Sequence, residues 1–198
     1  MSKRNVTIFK SKQRFSRDIF YRVGLFLYEK GNESIIEEVS KSAKVTHTHP
    51  DAINGATLQA ACVSWALQGH KPSELRQKAY QLCCNFDKPD SDDNETYMKK
   101  VKKIDAFFDD KEDDVKKMIE VLGNDVAALG SVPTALYAFL AGAQNLSLNI
   151  SGLEDIENPF ERTLHLAMAF GGDADTIMSM AGALAGVIFY LTCLSMSF

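Results

Sequence analysis

A short stretch near the C-terminus has the residue types and the spacing of a metal-binding turn. It reads Ala-Phe-Gly-Gly-Asp-Ala-Asp-Thr-Ile and spans residues 169–177. Two glycines permit a sharp backbone turn, and two carboxylates (Asp173, Asp175) and a hydroxyl (Thr176) follow them. Residues two apart on one helix point in different directions, so the carboxylates converge only if the backbone turns between them. Their oxygens would then suit a hard cation such as Mg²⁺. The alternative is that Asp175 or Thr176 caps the small-residue helix that follows.

A second group that could do chemistry is the pair His47 and His49, in the run Thr46-His-Thr-His-Pro50. Proline disfavours helical backbone in the residue before it, so the histidines are expected on a turn or at the start of a helix. Neutral imidazole is a good metal ligand, and either side chain could also contact phosphate. The competing interpretation is that both are polar loop residues, because the pair has no third ligand nearby.

Composition limits the function classes. A chain of 198 residues is expected to form one domain with a sizeable core. The net charge of -4 argues against a general nucleic-acid binder, which would present a basic surface. The four cysteines form no CxxC pair and show no ligand-like spacing to histidine, so a zinc site is not expected and a reducing intracellular setting fits.

The elements that must position these residues are predicted to be helices. Apolar residues recur at helical spacing, with Ser73 and Ser131 as plausible N-caps, Pro133 in a first turn and Gly123 as a stop. The predicted helices cover residues 15–28, 34–44, 51–67, 73–86, 96–108, 113–122 and 131–143, and another begins at Pro159. There is no strand alternation and no repeat, so the prediction is an all-α, compact orthogonal multi-helix fold.

The last segment, residues 181–198, carries no charge. Its length approaches that of a membrane span. Its first part is rich in glycine and alanine, which equally suits a helix packed tightly in a core, and the sequence favours this second interpretation.

Three motifs in the same order resemble the ADP-ribosylglycohydrolase family. They are Thr46-His47 with Asn-Gly-Ala at 54–56, the block Leu-Gly-Asn-Asp-Val-Ala-Ala-Leu-Gly-Ser-Val-Pro-Thr-Ala-Leu-Tyr at 122–137, and Gly-Gly-Asp-x-Asp-Thr-Ile with the small-residue helix after it. The likeness is greatest to the ADP-ribosylhydrolase 3 type and covers roughly residues 34–190. It implies a single, partial domain of the family fold that lacks the N-terminal part, with residues 1–33 and 187–198 as divergent ends.

The resemblance implies roles for five residues. Asp173, Asp175 and Thr176 match the family's late group of ligands to a pair of Mg²⁺ ions, which is about half of the ligand set. His47 matches a position that contacts the substrate's ADP-ribose. Val126 matches an apolar contact on the adenosine side.

Other positions depart from the family. Ala174 stands where the family usually has threonine, and His49 and Asp51 have no secure counterpart. Family members also carry an early half that this chain lacks, with a catalytic glutamate, a Thr-Asp-Asp metal group and a glycine-rich phosphate loop. Residues 1–33 show none of these, so no catalytic residue is identified. Ser-Asp-Asp at 91–93 looks like the missing metal group but follows the histidine motif, in the wrong order.

The resemblance implies an Mg²⁺-dependent hydrolase that removes ADP-ribose from serine and cleaves O-acetyl-ADP-ribose or poly(ADP-ribose). Its partners would be ADP-ribosylated proteins or ADP-ribose-type small molecules, without nucleic acid or membrane, and it would act as a monomer. The family serves DNA-damage signalling in the nucleus, the cytoplasm or the mitochondrion. Two alternatives are an inactive truncated isoform or fragment, and a structural member like the eye-lens crystallins of this fold.

Overall fold

The protein is all-helical in the part that the structure covers. The computed structural model describes residues 24, 32–86, 95–110 and 113–195, and within these ranges it has eight helices and no strand. The helices are α1 (Asn32–Thr46), α2 (Pro50–Leu67), α3 (Pro72–Phe86), α4 (Tyr97–Asp109), α5 (Val115–Leu122), α6 (Ala128–Ala143), α7 (Pro159–Ala169) and α8 (Ala174–Ser195). The predicted all-α fold is therefore confirmed. Apart from Gly24, the predicted helix at 15–28 lies outside the described residues, as does the Ser-Asp-Asp run at 91–93.

Side-chain caps explain where several helices begin. Thr96, Asp114 and Asn158 lie just before α4, α5 and α7, and each side-chain oxygen accepts a hydrogen bond from a first-turn backbone N–H. Such caps satisfy donors that have no partner within the helix. Proline is the first residue of α2 and α7, where its missing N–H costs nothing.

The cap predicted at Ser73 is wrong. Helix α3 already begins at Pro72, so Ser73 lies inside its first turn. Glu74 Oε2 accepts instead from the backbone N–H of Lys71 at 2.9 Å. A carboxylate that reaches back to this N–H satisfies the exposed donor more strongly than a hydroxyl would.

The start predicted for α6 is also wrong. The helix begins at Ala128, so Ser131 and Pro133 lie within it, and Ser131 Oγ donates to the carbonyl of Ala127 at 3.0 Å. The chain is turned earlier, by Asp125, whose Oδ1 accepts from the N–H of Ala127 at 2.7 Å. Burial of the first turn of α6 favours helix there, although no serine or threonine marks its start.

Helix α6 forms the centre of the core. It is buried from Gly130 to Gly142 and packs against α7 and α8 on one side and α2 on another. Gly142 lets α7 approach so closely that an added Cβ would lie 2.8 Å from the backbone N and Cα of Thr163. Tyr137 stacks edge-on against Phe107 and Phe170, with ring centroids 5.8 Å apart in both pairs. Phe170 is thereby fixed in the core.

Helices α2 and α8 are joined by a buried polar contact. The amide Nε2 of Gln59 donates to the carbonyl oxygen of Met180 at 3.0 Å, and Gln59 is 2% exposed. Helix α1 packs on α2. None of the helices in the described ranges combines the length and the hydropathy that a membrane span requires.

Candidate functional site: a glycine turn joined to a second loop

The glycine pair makes the sharp turn that the sequence predicts. Gly171 and Gly172 have φ values of 64° and 63°, in the left-handed region that glycine adopts without penalty. Phe170, buried in the core, holds the start of the turn, and α8 begins at Ala174. The backbone therefore reverses before Asp173 and not between Asp173 and Asp175.

The three predicted metal ligands lie together at the start of α8. Asp173 directly precedes the helix and is 6% exposed, Thr176 is 1% exposed, and Asp175 is exposed. Asp175 Oδ1 accepts from the N–H of Thr176 at 2.9 Å. The N-cap position belongs to Asp173, so the alternative that Asp175 or Thr176 caps the helix is wrong. Both lie inside the first turn, where the helix dipole favours negative groups.

The chemistry of this start suits an oxygen-bound cation. Thr176 Oγ1 is buried and has no hydrogen-bond partner among the residues that the structure describes. A buried hydroxyl without a partner is unfavourable, and a cation next to Asp173 would supply the missing interaction. Mg²⁺ is commonly held by one or two carboxylates and keeps several waters. Across the described ranges no group of three or more His, Cys, Asp or Glu side chains could hold a metal ion.

Asn124, from the loop between α5 and α6, clamps the glycine turn. Its side-chain Nδ2 donates to the carbonyl of Phe170 at 2.7 Å, and its own carbonyl accepts from the N–H of Asp173 at 2.8 Å. The backbone comes so close that a Cβ at Gly172 would overlap the carbonyl oxygen of Asn124. The motifs at 122–137 and 169–186 are thus joined by direct hydrogen bonds.

The sequence placed Asn124 at the end of a helix and within the motif at 122–137, but it gave this residue no part in the site. The signal available was an asparagine directly after Gly123, a combination typical of a tight loop. The partner of that loop lies 46 residues away along the chain, and nothing in a single sequence links the two.

Val126 belongs to the same loop and is half-buried. The loop is fixed on both sides of Asn124, because Thr134 Oγ1 donates to the carbonyl of Gly123 and Asp125 Oδ1 accepts from Ala127. The predicted adenosine-side contact is therefore carried by the loop that holds the predicted metal ligands. Its role in binding stays a prediction.

The two histidines are placed differently. His47, at the junction of α1 and α2, is 5% exposed, and its Nδ1 lies 2.8 Å from Thr46 Oγ1. His49 is exposed and caps α2, with Nδ1 accepting from the N–H of Asp51 at 3.3 Å. The structure therefore gives His49 a local structural role. His47 is buried, unlike an ordinary polar loop residue, which is exposed to solvent.

The motif that follows His47 lies against the start of α6. Tyr97 Oη donates to the carbonyl of Asp51 at 2.9 Å, and a Cβ on Gly55 would overlap that phenol. The same added Cβ would lie 3.2 Å from Cβ of Ala128, the first residue of α6. All three motifs singled out in the sequence thus belong to neighbouring elements, with α6 and its preceding loop in the middle.

Comparison with known proteins identifies the family of this sequence. The sequence profile of the family described as ADP-ribosylglycohydrolase matches residues 21–195. ADP-ribosylhydrolase ARH3 of Homo sapiens is 34% identical over 172 residues, which cover 79% of this chain and 46% of that protein. ADP-ribosylhydrolase ARH3 of Xenopus tropicalis is 34% identical over 178 residues, with 83% and 49% covered. The protein of the same name from Danio rerio is 30% identical over 166 residues.

The chain spans about half the length of these relatives. The profile match extends over most of its sequence, and both the helical fold and the joined motifs are in place. The chain belongs to the ADP-ribosylglycohydrolase family.

Proposed function

We propose that this chain forms the Mg²⁺- and ADP-ribose-binding part of a hydrolase of the ADP-ribosylhydrolase 3 type. The observation that carries the proposal is the turn at the start of α8. There Asp173 is buried and its backbone N–H donates to the carbonyl of Asn124, in the loop that bears Val126. The buried hydroxyl of Thr176, three residues on, has no hydrogen-bond partner among the described residues. Substrates would be serine-ADP-ribosylated proteins, O-acetyl-ADP-ribose or poly(ADP-ribose).

Asp173, Asp175 and Thr176 would hold the cation in this proposal. Mg²⁺, when bound, would hold ribose hydroxyls and stabilise charge as the anomeric bond breaks. Asp173 is already dehydrated by burial, whereas Asp175 is exposed and faces solvent. Asp175 would therefore meet a ligand that arrives from solvent, and Asp173 would fix the position of the site.

His47 and Val126 would bind the rest of the ligand. His47 offers a buried imidazole that can hydrogen-bond to ADP-ribose, and half-buried Val126 offers an apolar surface for the adenosine. These roles rest on the family resemblance together with the positions of the two residues in neighbouring elements.

The proposed reaction is hydrolysis of the bond between the anomeric carbon and the serine oxygen. Water oxygen bonds to that carbon, and the serine oxygen leaves with a proton. The anomeric carbon passes through an oxocarbenium-like state, and a carboxylate assists the water. In the family this carboxylate belongs to a glutamate of the early half, so we assign no catalytic base within this chain.

Ligand-induced stabilisation tests the binding site. The melting temperature of the 198-residue chain would be measured with Mg²⁺, with ADP-ribose, with both and with neither. Ligand at about a hundred times its dissociation constant should add roughly 2.7 kcal/mol to the free energy of unfolding, which raises the melting temperature by about 5–10 °C at this size.

Two variants test whether the predicted site causes the shift. Asp175→Ala should remove the shift. Asp155→Ala, which deletes an exposed carboxylate in the loop before α7, should keep it. Equal shifts in both variants would reject the site.

A second candidate function is binding without turnover. It is favoured by the finding that, among the described residues, no group of three or more His, Cys, Asp or Glu side chains could hold a metal ion. A turnover assay on a serine-ADP-ribosylated peptide separates the two candidates. Release of ADP-ribose that Asp175→Ala abolishes indicates the hydrolase, and a ligand-induced shift without release indicates the binding protein.

A further inference from the structure

The last residue of α5 and the first three residues of the loop that follows it each take part in a hydrogen bond with a side chain or through one. Lys100 Nζ donates to the carbonyl of Leu122 at 2.8 Å, and Thr134 Oγ1 donates to the carbonyl of Gly123. Asp125 Oδ1 then accepts from the backbone two residues on. Asn124 lies between these residues, and both its side-chain amide and its backbone carbonyl form hydrogen bonds with the glycine turn. A loop held this firmly can fix the position of whatever it contacts.

We infer that Asn124 is a positioning residue, which holds the glycine turn so that Asp173 and Thr176 are presented to a divalent cation. The inference rests on the proposed function for the cation. We do not propose that Asn124 contacts the side chains of Asp173 or Thr176. It acts on the backbone on both sides of the two glycines, at Phe170 and at Asp173.

The contacts require the chemistry of an asparagine at this place. The side chain must donate a hydrogen bond to the Phe170 carbonyl, which excludes an ionised aspartate because a carboxylate only accepts. Leucine has a similar shape but no donor. The carbonyl of residue 124 would still face the Asp173 N–H in any variant, so substitution removes one half of the clamp and loosens the other. Gly171 and Gly172, with φ above 60°, would otherwise leave the turn free to change shape.

Residues that orient metal ligands commonly alter metal affinity by about 10–100-fold when they are replaced. Asn124→Leu should weaken Mg²⁺ binding by a factor in this range. In the metal-free protein it should also speed hydrogen exchange at the Asp173 amide. A purely stabilising residue would lower the melting temperature without either change.

A matched control lies at the other end of α7. Asn158→Ala removes the cap in which Oδ1 accepts from the N–H of Phe160 at 2.9 Å. It should destabilise the chain to a similar degree, leaving Mg²⁺ affinity and exchange at Asp173 within twofold of wild type.

The experiment compares wild type, Asn124→Leu and Asn158→Ala as the full chain. Calorimetric titration with MgCl₂ gives the affinity, and amide exchange by NMR is measured without metal. Asn124→Ala, which also lacks the donor but is smaller, replaces the leucine variant if the latter does not fold. An affinity within twofold of wild type and unchanged exchange would overturn the inference. If wild type does not bind Mg²⁺, the proposed function fails and the role in cation affinity fails with it, whereas the exchange rate still decides whether Asn124 positions Asp173.

Discussion

The side chain of Lys100 lies in the protein interior and donates to the last carbonyl of α5, that of Leu122, at 2.8 Å. It also pairs with the exposed carboxylate of Glu95 at 3.2 Å. A cation at a helix C-terminus complements the helix dipole and satisfies a carbonyl that has no partner within the helix. Because Leu122 directly precedes the loop of Asn124, this contact also fixes one side of the site.

Lys100→Met should therefore destabilise the fold. It leaves the Leu122 carbonyl without its donor, at a cost of about 1–3 kcal/mol, whereas loss of the pair with exposed Glu95 adds little. Urea unfolding measures the difference. The control Lys102→Met removes an exposed lysine from the same helix and should change the unfolding free energy by less than about 0.5 kcal/mol. Equal effects in the two variants would contradict the buried role of Lys100.

Alanine substitutions at Gly171 and Gly172 should destabilise the fold to different degrees, although the two glycines have nearly the same φ. A Cβ at Gly171 meets no atom of the described residues within 4 Å, so Gly171→Ala should cost only the backbone strain of about 1–2 kcal/mol. Gly172→Ala adds an overlap with the carbonyl of Asn124 and should cost clearly more. Thermal unfolding of both variants checks the order. A Gly172 variant as stable as the Gly171 variant would mean that the loop of Asn124 can move away from the added Cβ without loss of stability.

This pair shows what the sequence could and could not provide. Two glycines before Asp173 predict a turn, because only glycine adopts such φ values freely. The need for glycine at residue 172 comes from Asn124, which is distant in sequence, and a single sequence does not show that contact. The spacing of Asp173, Asp175 and Thr176 likewise suggested a cation but not the difference in burial between the two carboxylates.

The helices were predictable for the same local reasons, and the errors have a common cause. Apolar periodicity located the described helices, but the starts of α3 and α6 were assigned to serines. Serine is a good cap only where the backbone is already turned, and in this fold Glu74 and Asp125 supply the hydrogen bonds near those starts. Tertiary burial extends α6 back to Ala128 without a capping side chain.

Thiol reactivity should distinguish two cysteines on neighbouring helices. Burial raises the pKa of the Cys62 thiol to about 12, so almost none of it is thiolate at neutral pH, whereas Cys84 is exposed. Since the thiolate is the reactive form, iodoacetamide should modify Cys84 first and leave Cys62 unmodified in the folded protein. Peptide mass spectrometry at pH 7.5, with a sample in urea as the control, measures both. Equal rates in the folded state would show that α2 opens readily.

Acid should weaken the start of α3. The pKa of Glu74 lies below its ordinary value of 4.5, because its carboxylate accepts from the Lys71 N–H and, to a smaller extent, from the His70 ring. A lowered pKa means that the charged form is favoured by folding, so its contribution is complete above the unfolded-state pKa and is lost as pH falls through the folded-state value. The urea midpoint of wild type should exceed that of Glu74→Gln at pH 7, and the gap should close below pH 4.5. A gap that is constant from pH 7 to pH 3 would contradict this contribution.

The distance along the chain between Asn124 and the glycine turn has a consequence for folding. The contact between Asn124 and Phe170 joins residues 46 positions apart, and α6 and α7, which lie between them in the chain, pack on each other. Closing so long a segment costs chain entropy that only later contacts recover. The candidate site should therefore be absent from partly folded chains. A cation would therefore bind only to the fully folded chain, and its binding would shift the equilibrium between the unfolded and the folded protein toward the folded state.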